Sequence, residues 1–355
     1  MPDIKYFDVR EHPYAPFTYF IGPRGAGKTY SALWDNVDKY RESCSPEIDH
    51  RPRPFIYLRN TDVQLKECLK ETKNPFKRLN EDMGWEIRME KDGGSGLIVD
   101  YTENVYQDDM ENRNGKLMGI AYALSTFQNQ RGSDLFDVNH CVYDEFIEKR
   151  RLSFDQADLF FNFYETVARN REMQGIEPFK VRLLSNSQKL GNPILAEHGL
   201  IPIIERLLTQ KKRRSWLSDN KDIYIELVIP DQSFADAKAN SVLYRNLSSS
   251  SRIRQENLEN LFSHDSFAHI GKRPLQEYTP VCIVDDLCFY VHKSNGALYV
   301  SRVLADVPVF TSLDSIQTFR RMYGQRFYDK VMMNKAWFCD FTAKMAVYDW
   351  LKIAR

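Results

Sequence analysis

Two short stretches place residue types in an order that suits phosphoryl chemistry. Gly22-Pro23-Arg24-Gly25-Ala26-Gly27-Lys28-Thr29 fits the pattern G-x-x-x-x-G-K-[ST]. Glycines allow the positive φ angles and the close backbone approach that a wrapped anion needs, and a Cβ would block both. A helix entered directly from such a loop aims unpaired N–H groups at phosphates. Lys28 would bridge the β- and γ-phosphates of ATP, and Thr29 would offer its hydroxyl to Mg²⁺. The candidate ATP-binding residues are therefore Gly22, Arg24, Gly25, Ala26, Gly27, Lys28, Thr29 and Tyr30. Downstream, Cys141-Val142-Tyr143-Asp144-Glu145-Phe146 is an apolar run closing on two carboxylates. Asp144 would hold Mg²⁺, largely through its waters, and Glu145 would orient and deprotonate the attacking water. An acidic pair at a strand end is common by chance; an intact glycine loop upstream gives it meaning.

These residues need a strand, a loop and a helix in that order. Residues 17–21 (Phe-Thr-Tyr-Phe-Ile) are an aromatic and β-branched run that reads as a strand, and 30–34 begin a helix. Pro13 and Pro16 mark a polar lead-in, in which Tyr14 or Phe17 could stack on adenine. Residues 55–59 read as a short buried parallel strand ending in Arg59, placed to report on the nucleotide. A helix over 62–69, a hairpin about Asp92-Gly93-Gly94 and a strand over 120–125 follow. Residues 154–171 read as a helix with Leu159, Phe160, Phe163 and Val167 on one face, broken by Gly175 and Pro178. Residues 180–187 form a further strand whose polar tip, Asn186, would sense the γ-phosphate. This order implies an α/β sheet with its site at the carboxyl ends of the strands.

Composition bounds the function. The chain has 355 residues, with 49 basic and 49 acidic side chains and no net charge, so any nucleic-acid surface must be local. Its length favours more than one domain. The six cysteines show no C-x-x-C spacing, which favours reduced thiols over a disulfide framework or zinc site. No apolar run approaches the roughly 20 residues needed to span a bilayer, and no signal pattern opens the chain, so no membrane role is expected.

From about residue 208 the character changes. A basic run at 210–214, a serine run at 248–251 and one strand at 223–229 suggest a linker or small lid over 208–262, before a compact α+β unit at 263–355. The basic run suits nucleic acid and a solvated linker equally. In the last unit, strands at 281–284 and 287–291, an Asn295-Gly296 hairpin and helices over 315–323 and 334–353 are expected. Asp285, Asp286, Asp306 and Asp340 could gather as a two-metal nuclease site, although Asp285 and Asp286 also suit a tight turn.

The glycine loop, residues 55–59, the acidic strand, Thr166-Val167-Ala168-Arg169-Asn170-Arg171 and Leu184-Ser185-Asn186 together resemble the DNA-packaging ATPases of small podoviruses, the salasvirus or Picovirinae encapsidation proteins. The resemblance covers most of the chain, and Arg-Asn-Arg is its specific part. It implies an ASCE-type P-loop NTPase sheet with helices on both faces over 1–207. It also implies a C-terminal RNase-H-like domain that has lost its nuclease site and contacts nucleic acid or portal. A homomeric ring is implied, of five copies, with Arg169 as a finger acting on the neighbouring subunit; Arg171 could compete for that role. Arg131 falls where the family places a basic residue acting across the same interface, and Arg24 where packaging ATPases carry an arginine in the loop. The implied partners are double-stranded DNA, further copies of the chain and the viral portal or connector, with a packaging RNA left open. The implied place is the infected bacterial cytoplasm, docked at the prohead portal vertex. Lys149, Arg150, Arg151 and residues 211–214 are candidate DNA contacts. A terminase-like nuclease and a non-catalytic nucleotide switch are the alternatives.

Overall fold

The computed structural model describes residues 4–45, 52–102, 115–130, 135, 137–148, 155–186, 192–209, 214–248 and 269–351. Two compact units emerge, one comprising residues 1–190 with 202–262, the other residues 191–201 with 263–355.

The first unit is built on a nine-stranded sheet. Its strands are β1 (Phe17–Gly22), β2 (Phe55–Arg59), β3 (Ile87–Asp92), β4 (Ser95–Asp100), β5 (Lys116–Ala123), β6 (His140–Asp144), β7 (Lys180–Asn186), β8 (Ser215–Leu217) and β9 (Ile223–Leu227). They lie in the order β3-β4-β5-β2-β6-β7-β1-β9-β8. The central strands pair in parallel, whereas β3, β4 and β8 add antiparallel edges. Parallel neighbours need crossovers that cover both faces, which explains why β1, β2 and β6 are apolar almost throughout.

Alternation along β1 divides the core between those faces. Phe20 joins Ala32, Leu33 and Val37 of α1 (Lys28–Ser43) in one cluster. Tyr19 meets Phe146 on the other face, where Tyr143 stacks on Phe160 of α4 (Gln156–Ala168) at a centroid distance of 5.6 Å. Between them in the chain come α2 (Asp62–Cys68) and α3 (Lys77–Met83), whose Leu65 and Leu79 join the α1 cluster. A capping box opens α2, with Thr61 and Gln64 exchanging side-chain and backbone hydrogen bonds.

Register brings the chemistry to one edge. Gly22 lies opposite Asn186, Asp144 opposite Leu184, and Leu58 opposite Tyr143. The carboxyl ends of β1, β7, β6 and β2 therefore fall in line. The segment expected as a linker departs from that reading: β9 pairs with β1 over Phe17–Ile21, and β8 pairs with β9. β9 is mostly buried between β1 and β8, and β8 is half-buried throughout as the outer strand, so 215–217 and 223–227 belong to the sheet rather than to a connection. It is followed by α7 (Gln232–Ala239) and α8 (Val242–Arg245); α5 (Pro193–Glu197) and α6 (Ile201–Thr209) precede it.

The second unit carries a five-stranded sheet in the order β13-β10-β11-β12-β14. These strands are β10 (Tyr278–Val284), β11 (Leu287–His292), β12 (Leu298–Ser301), β13 (Val309–Phe310) and β14 (Ala336–Phe338). The first three form an antiparallel meander, with β13 parallel to β10 and β14 parallel to β12. Helices α9 (Leu313–Phe319), α10 (Gln325–Met332) and α11 (Phe341–Trp350) complete it. Asn295-Gly296 does not make a two-residue turn: His292 accepts from Gly296 N and donates to Ala297 O, so the loop is longer. Nor do residues 334–353 form one helix. Asn334 takes a left-handed conformation (φ 56°) and Ala336–Phe338 is a strand, its apolar residues buried against β12.

Candidate functional site

The turn from β1 into α1 is shaped by its glycines. Gly25 and Gly27 adopt φ of 81° and 108°, which only glycine takes at no steric cost. A Cβ on Gly22 would lie 2.5 Å from Val228 Cβ, and one on Gly27 would lie 2.9 Å from Phe7 O. The first turn of α1 has Gly27 as its N-cap with no side-chain cap, so its N–H groups face the loop without an internal acceptor. That is the donor set an anion requires.

Lys28 is almost fully buried, and its Nζ donates to Gly22 O and Pro23 O, each at 2.9 Å. Burial pushes its ammonium down to about 8, with Asp144 and Glu145 opposing the shift and Lys238 adding to it. Thr29 Oγ1 donates to Asp144 Oδ1 at 2.9 Å, joining residues far apart in sequence. A pocket of about 30 Å³ is lined by Lys28, Thr29, Asp144, Glu145, Ser185 and Asn186. The sequence-derived loop and acidic strand thus converge, and Asn186 joins them, its Nδ2 donating to Glu145 Oε1 at 3.4 Å. A hydroxyl and a carboxylate side by side are hard oxygen ligands of the kind Mg²⁺ takes. The residues fit both a polyphosphate and that ion.

Arg59 is more central than its position in the sequence suggested. Its Nη1 donates to Asp144 Oδ2 at 2.9 Å and its Nη2 to Glu145 Oε2 at 2.7 Å. Tyr57, two residues earlier on the same strand, donates to Asp144 Oδ2 at 3.0 Å. Asn60 was not anticipated. Its Nδ2 donates to Glu145 O at 2.8 Å, while Gln156 and Tyr143 both donate to its Oδ1. Glu145 sits at φ 54°, a strained setting for a non-glycine residue, and the Asn60 bond holds it there. The one signal for Asn60 in the sequence is a polar residue directly after the strand that neighbours the acidic one.

The two arginines of the Arg-Asn-Arg segment separate cleanly. Arg171 is buried, with Nη1 donating to Asn139 Oδ1 at 2.8 Å and Nη2 to Val167 O at 3.2 Å. It is a structural residue. Arg169 is half-buried at the end of α4, with φ 42° and ψ 46°, and Asn170 follows in the same left-handed region. Two successive non-glycine residues in that conformation form a sharp corner that carries the Arg169 side chain.

Other expectations fare differently. Arg24 is exposed at the crest of the loop. Tyr30 turns its ring edge-on to Trp34, so its backbone N–H is what it brings to the site. Tyr14 and Phe17 cannot stack on adenine at this loop. Both lie at the opposite end of β1, Tyr14 beneath the Arg182 guanidinium at 3.8 Å and Phe17 against Tyr164 at 4.4 Å. Arg131, Lys149, Arg150, Arg151 and residues 211–213 lie outside the described residues. In the second unit Arg302 bonds both Asp286 and Asp340, the latter at 3.0 Å. Among the described residues, no group of three or more His, Cys, Asp or Glu side chains could hold a metal ion. Of the four aspartates, Asp286 and Asp340 are held by Arg302.

Strand order, glycine turn and acidic strand define an α/β protein with a phosphate-loop turn at the carboxyl edge of its sheet. Residues 95–317 match the model of the Podovirus DNA encapsidation protein (Gp16) family, and the chain belongs to that family. It is 26% identical over 259 residues to the DNA packaging protein of Bacillus phage B103, covering 72% of this chain and 67% of that one. Against the DNA packaging protein of Bacillus phage phi29 it is 26% identical over 290 residues, covering 79% and 74%. Its fold is similar to a chain of the bacteriophage Phi-29 viral genome packaging motor assembly, with a TM-score of 0.61, 19% identity and 98% of both chains covered. It is likewise similar to the Phi-28 gp11 DNA packaging motor, with a TM-score of 0.59, 16% identity and 99% and 98% covered. Among the described residues, no helix is long and apolar enough to cross a membrane.

Proposed function

We propose that this chain is the ATPase of a viral DNA-packaging motor, an ASCE-type P-loop enzyme that hydrolyses Mg²⁺-ATP to move double-stranded DNA into a prohead. The observation that carries it is the Thr29–Asp144 hydrogen bond, because it closes the glycine loop onto the acidic strand in one pocket with Lys28 and Glu145. The position of β7 between β1 and β6 supports the ASCE assignment, as does family membership.

The loop amides from Gly25 to Tyr30 and the Lys28 ammonium bind the phosphates, Lys28 giving up its two carbonyl acceptors to do so. Thr29 and Asp144 hold Mg²⁺, which neutralises phosphate charge when bound. Glu145 orients water and takes its proton once its carboxylate is released from Arg59, and Asn186 reports the terminal phosphate to Glu145. In a homomeric ring of five copies, Arg169 enters the site of the neighbouring subunit, where a guanidinium stabilises charge on the transferring phosphoryl. Arg131 acts across the same interface.

The second unit contacts nucleic acid or the portal. Its antiparallel meander with a parallel strand at the edge supports a reduced RNase-H-like architecture, and the Arg302 clamp on Asp286 and Asp340 argues against a working nuclease. DNA contacts would be sequence-independent, through lysines and arginines on phosphates, which is compatible with zero net charge overall. The motor would dock at the prohead portal vertex in the host cytoplasm, with a packaging RNA as a further partner.

DNA-stimulated ATP turnover tests this reading, with Lys28→Ala as the control. Turnover that DNA raises and Lys28→Ala abolishes is the expected result; no turnover with or without DNA sinks it.

A further inference from the structure

The chain that follows β9 wraps the glycine loop. Val228 N donates to Ile21 O at 2.8 Å, and the Val228 side chain occupies the space beside Gly22. The N-terminal residues then tie α7 to the same loop. Phe7 N donates to Ala26 O at 2.9 Å, Lys5 N donates to Ser233 Oγ at 3.1 Å, and the Tyr6 ring meets Phe234 edge-on at 5.5 Å. These contacts fix Lys238, in the last turn of α7, over the loop. Its Nζ donates to Arg24 O at 2.6 Å. The Phe234 and Tyr244 rings lie 5.2 and 5.5 Å from it.

None of those partners carries a negative charge. Among the described residues, no carboxylate lies within ion-pair distance of Lys238. An ammonium has three donors, and a carbonyl plus two ring faces satisfy it poorly. Burial and the Arg24 charge both push its pKa down. Lys28 rests on the carbonyl of Pro23, the residue next to Arg24, and the Lys238 charge is felt at Lys28. Three cations, Arg24, Lys28 and Lys238, thus converge on one loop at a cost in mutual repulsion. Asp144 and Glu145 offset part of that cost at Lys28, and an anion of high charge density in the loop would offset the rest.

We propose that Lys238 is a triphosphate-binding residue: its ammonium moves from the Arg24 carbonyl to an oxygen of the terminal phosphate, so that two lysines from opposite ends of the first unit grip the nucleotide. The proposal rests on the nucleotide-binding reading above. It makes α7 the part of the molecule that distinguishes the triphosphate from the diphosphate.

Equilibrium binding of fluorescent ATP and ADP analogues with Mg²⁺ to the full chain tests it, with melting curves as a check on folding. A charge-assisted hydrogen bond is worth enough that Lys238→Met should weaken ATP binding about tenfold or more. ADP binding should change by less than about threefold, and Lys238→Arg should keep most of the ATP affinity, because only a bond to the terminal phosphate is lost. Should Lys238→Met melt several degrees lower, Lys238→Gln, which keeps a donor for the Arg24 carbonyl, takes its place. Equal losses for ATP and ADP, or none, overturn the proposal. If Lys28→Ala binds both nucleotides as wild type does, the underlying reading fails and the proposal with it.

Discussion

Arg59 holds Glu145 from the neighbouring strand, with Nη2 donating to Oε2 at 2.7 Å while Nη1 keeps Asp144 at 2.9 Å. The guanidinium spans both carboxylates with its two terminal nitrogens, which a lysine could not do. It supplies at Asp144 the positive charge that a divalent cation would supply, and it occupies the carboxylate that would otherwise face a water. Glu145 is the more exposed of the pair, at 40% of its side chain, so its half of the clamp is the easier one to open.

Arg59→Ala leaves two acidic groups uncompensated at the strand ends. Breaking one partner out of a buried pair costs about 3–5 kcal/mol, and the half-exposed Glu145 places the expected loss at or below the lower end. The variant should melt several degrees below wild type. Millimolar Mg²⁺ should restore part of the loss by replacing the missing charge at Asp144. Melting curves with and without Mg²⁺ check this; a variant no more responsive to Mg²⁺ than wild type would contradict the shared-charge account.

Glu145→Gln keeps the shape of the side chain and its bond from Asn186 but removes the proton acceptor. General-base catalysis contributes about 10²–10⁴-fold, so turnover should fall by that factor. Nucleotide affinity should hold, because Lys28 and the loop amides are untouched. Single-turnover hydrolysis beside a binding isotherm separates the two. Parallel loss of both would mean that Glu145 is structural.

Much of this site was readable because its parts are local. A glycine loop, a preceding β-branched run and a following helix lie within one stretch, and the acidic strand announces itself by an apolar run that stops at carboxylates. Asn186 followed from the same logic. The rest depends on register between distant strands. Arg59 could be suspected at a strand end, but its double contact required β2 beside β6, and Asn60 required Tyr143 and Gln156 around it. Lys238 had no local signature at all. The segment over 208–262 reads as a linker because the outer strand β8 has only three residues, and because β1, the partner of β9, lies far away in the sequence. Ala336-Trp337-Phe338 was absorbed into a helix because three residues cannot display a period.

Arg169 and Arg171 should part company under substitution. Arg171→Ala strips a buried guanidinium from Asn139 and the Val167 carbonyl, and leaving such groups unsatisfied costs about 1–3 kcal/mol each. Its melting temperature should drop clearly. Arg169→Ala should melt close to wild type, since the side chain is half-exposed, yet lose turnover by about 10³-fold if it acts as a finger. Mixing Arg169→Ala with Lys28→Ala subunits should restore part of the activity, each supplying what the other lacks. No recovery at any ratio would place Arg169 in its own subunit's site or outside catalysis.

His140 offers a test that is independent of the site. It begins β6, where its Nδ1 lies 3.2 Å from the Tyr14 hydroxyl, with the Tyr14 ring stacked beside it. Burial pushes its pKa from 6.5 down to about 3, helped by the charges of Lys39, Arg182 and Lys180 and opposed by Asp35. Folded protein therefore binds fewer protons than the unfolded chain between those values. Stability is complete above pH 6.5 and is lost as pH falls towards 3, at a slope approaching about 1.4 kcal/mol per pH unit from this group. His198, pushed to about 4 by burial, adds to the loss in the same direction. His140→Asn keeps a polar side chain near Tyr14 and removes the titration, so its stability should decline less steeply over pH 6 to 4. Chemical denaturation at a series of pH values measures both slopes. Equal slopes would mean that His140 takes up its proton in the folded state as readily as in the unfolded chain.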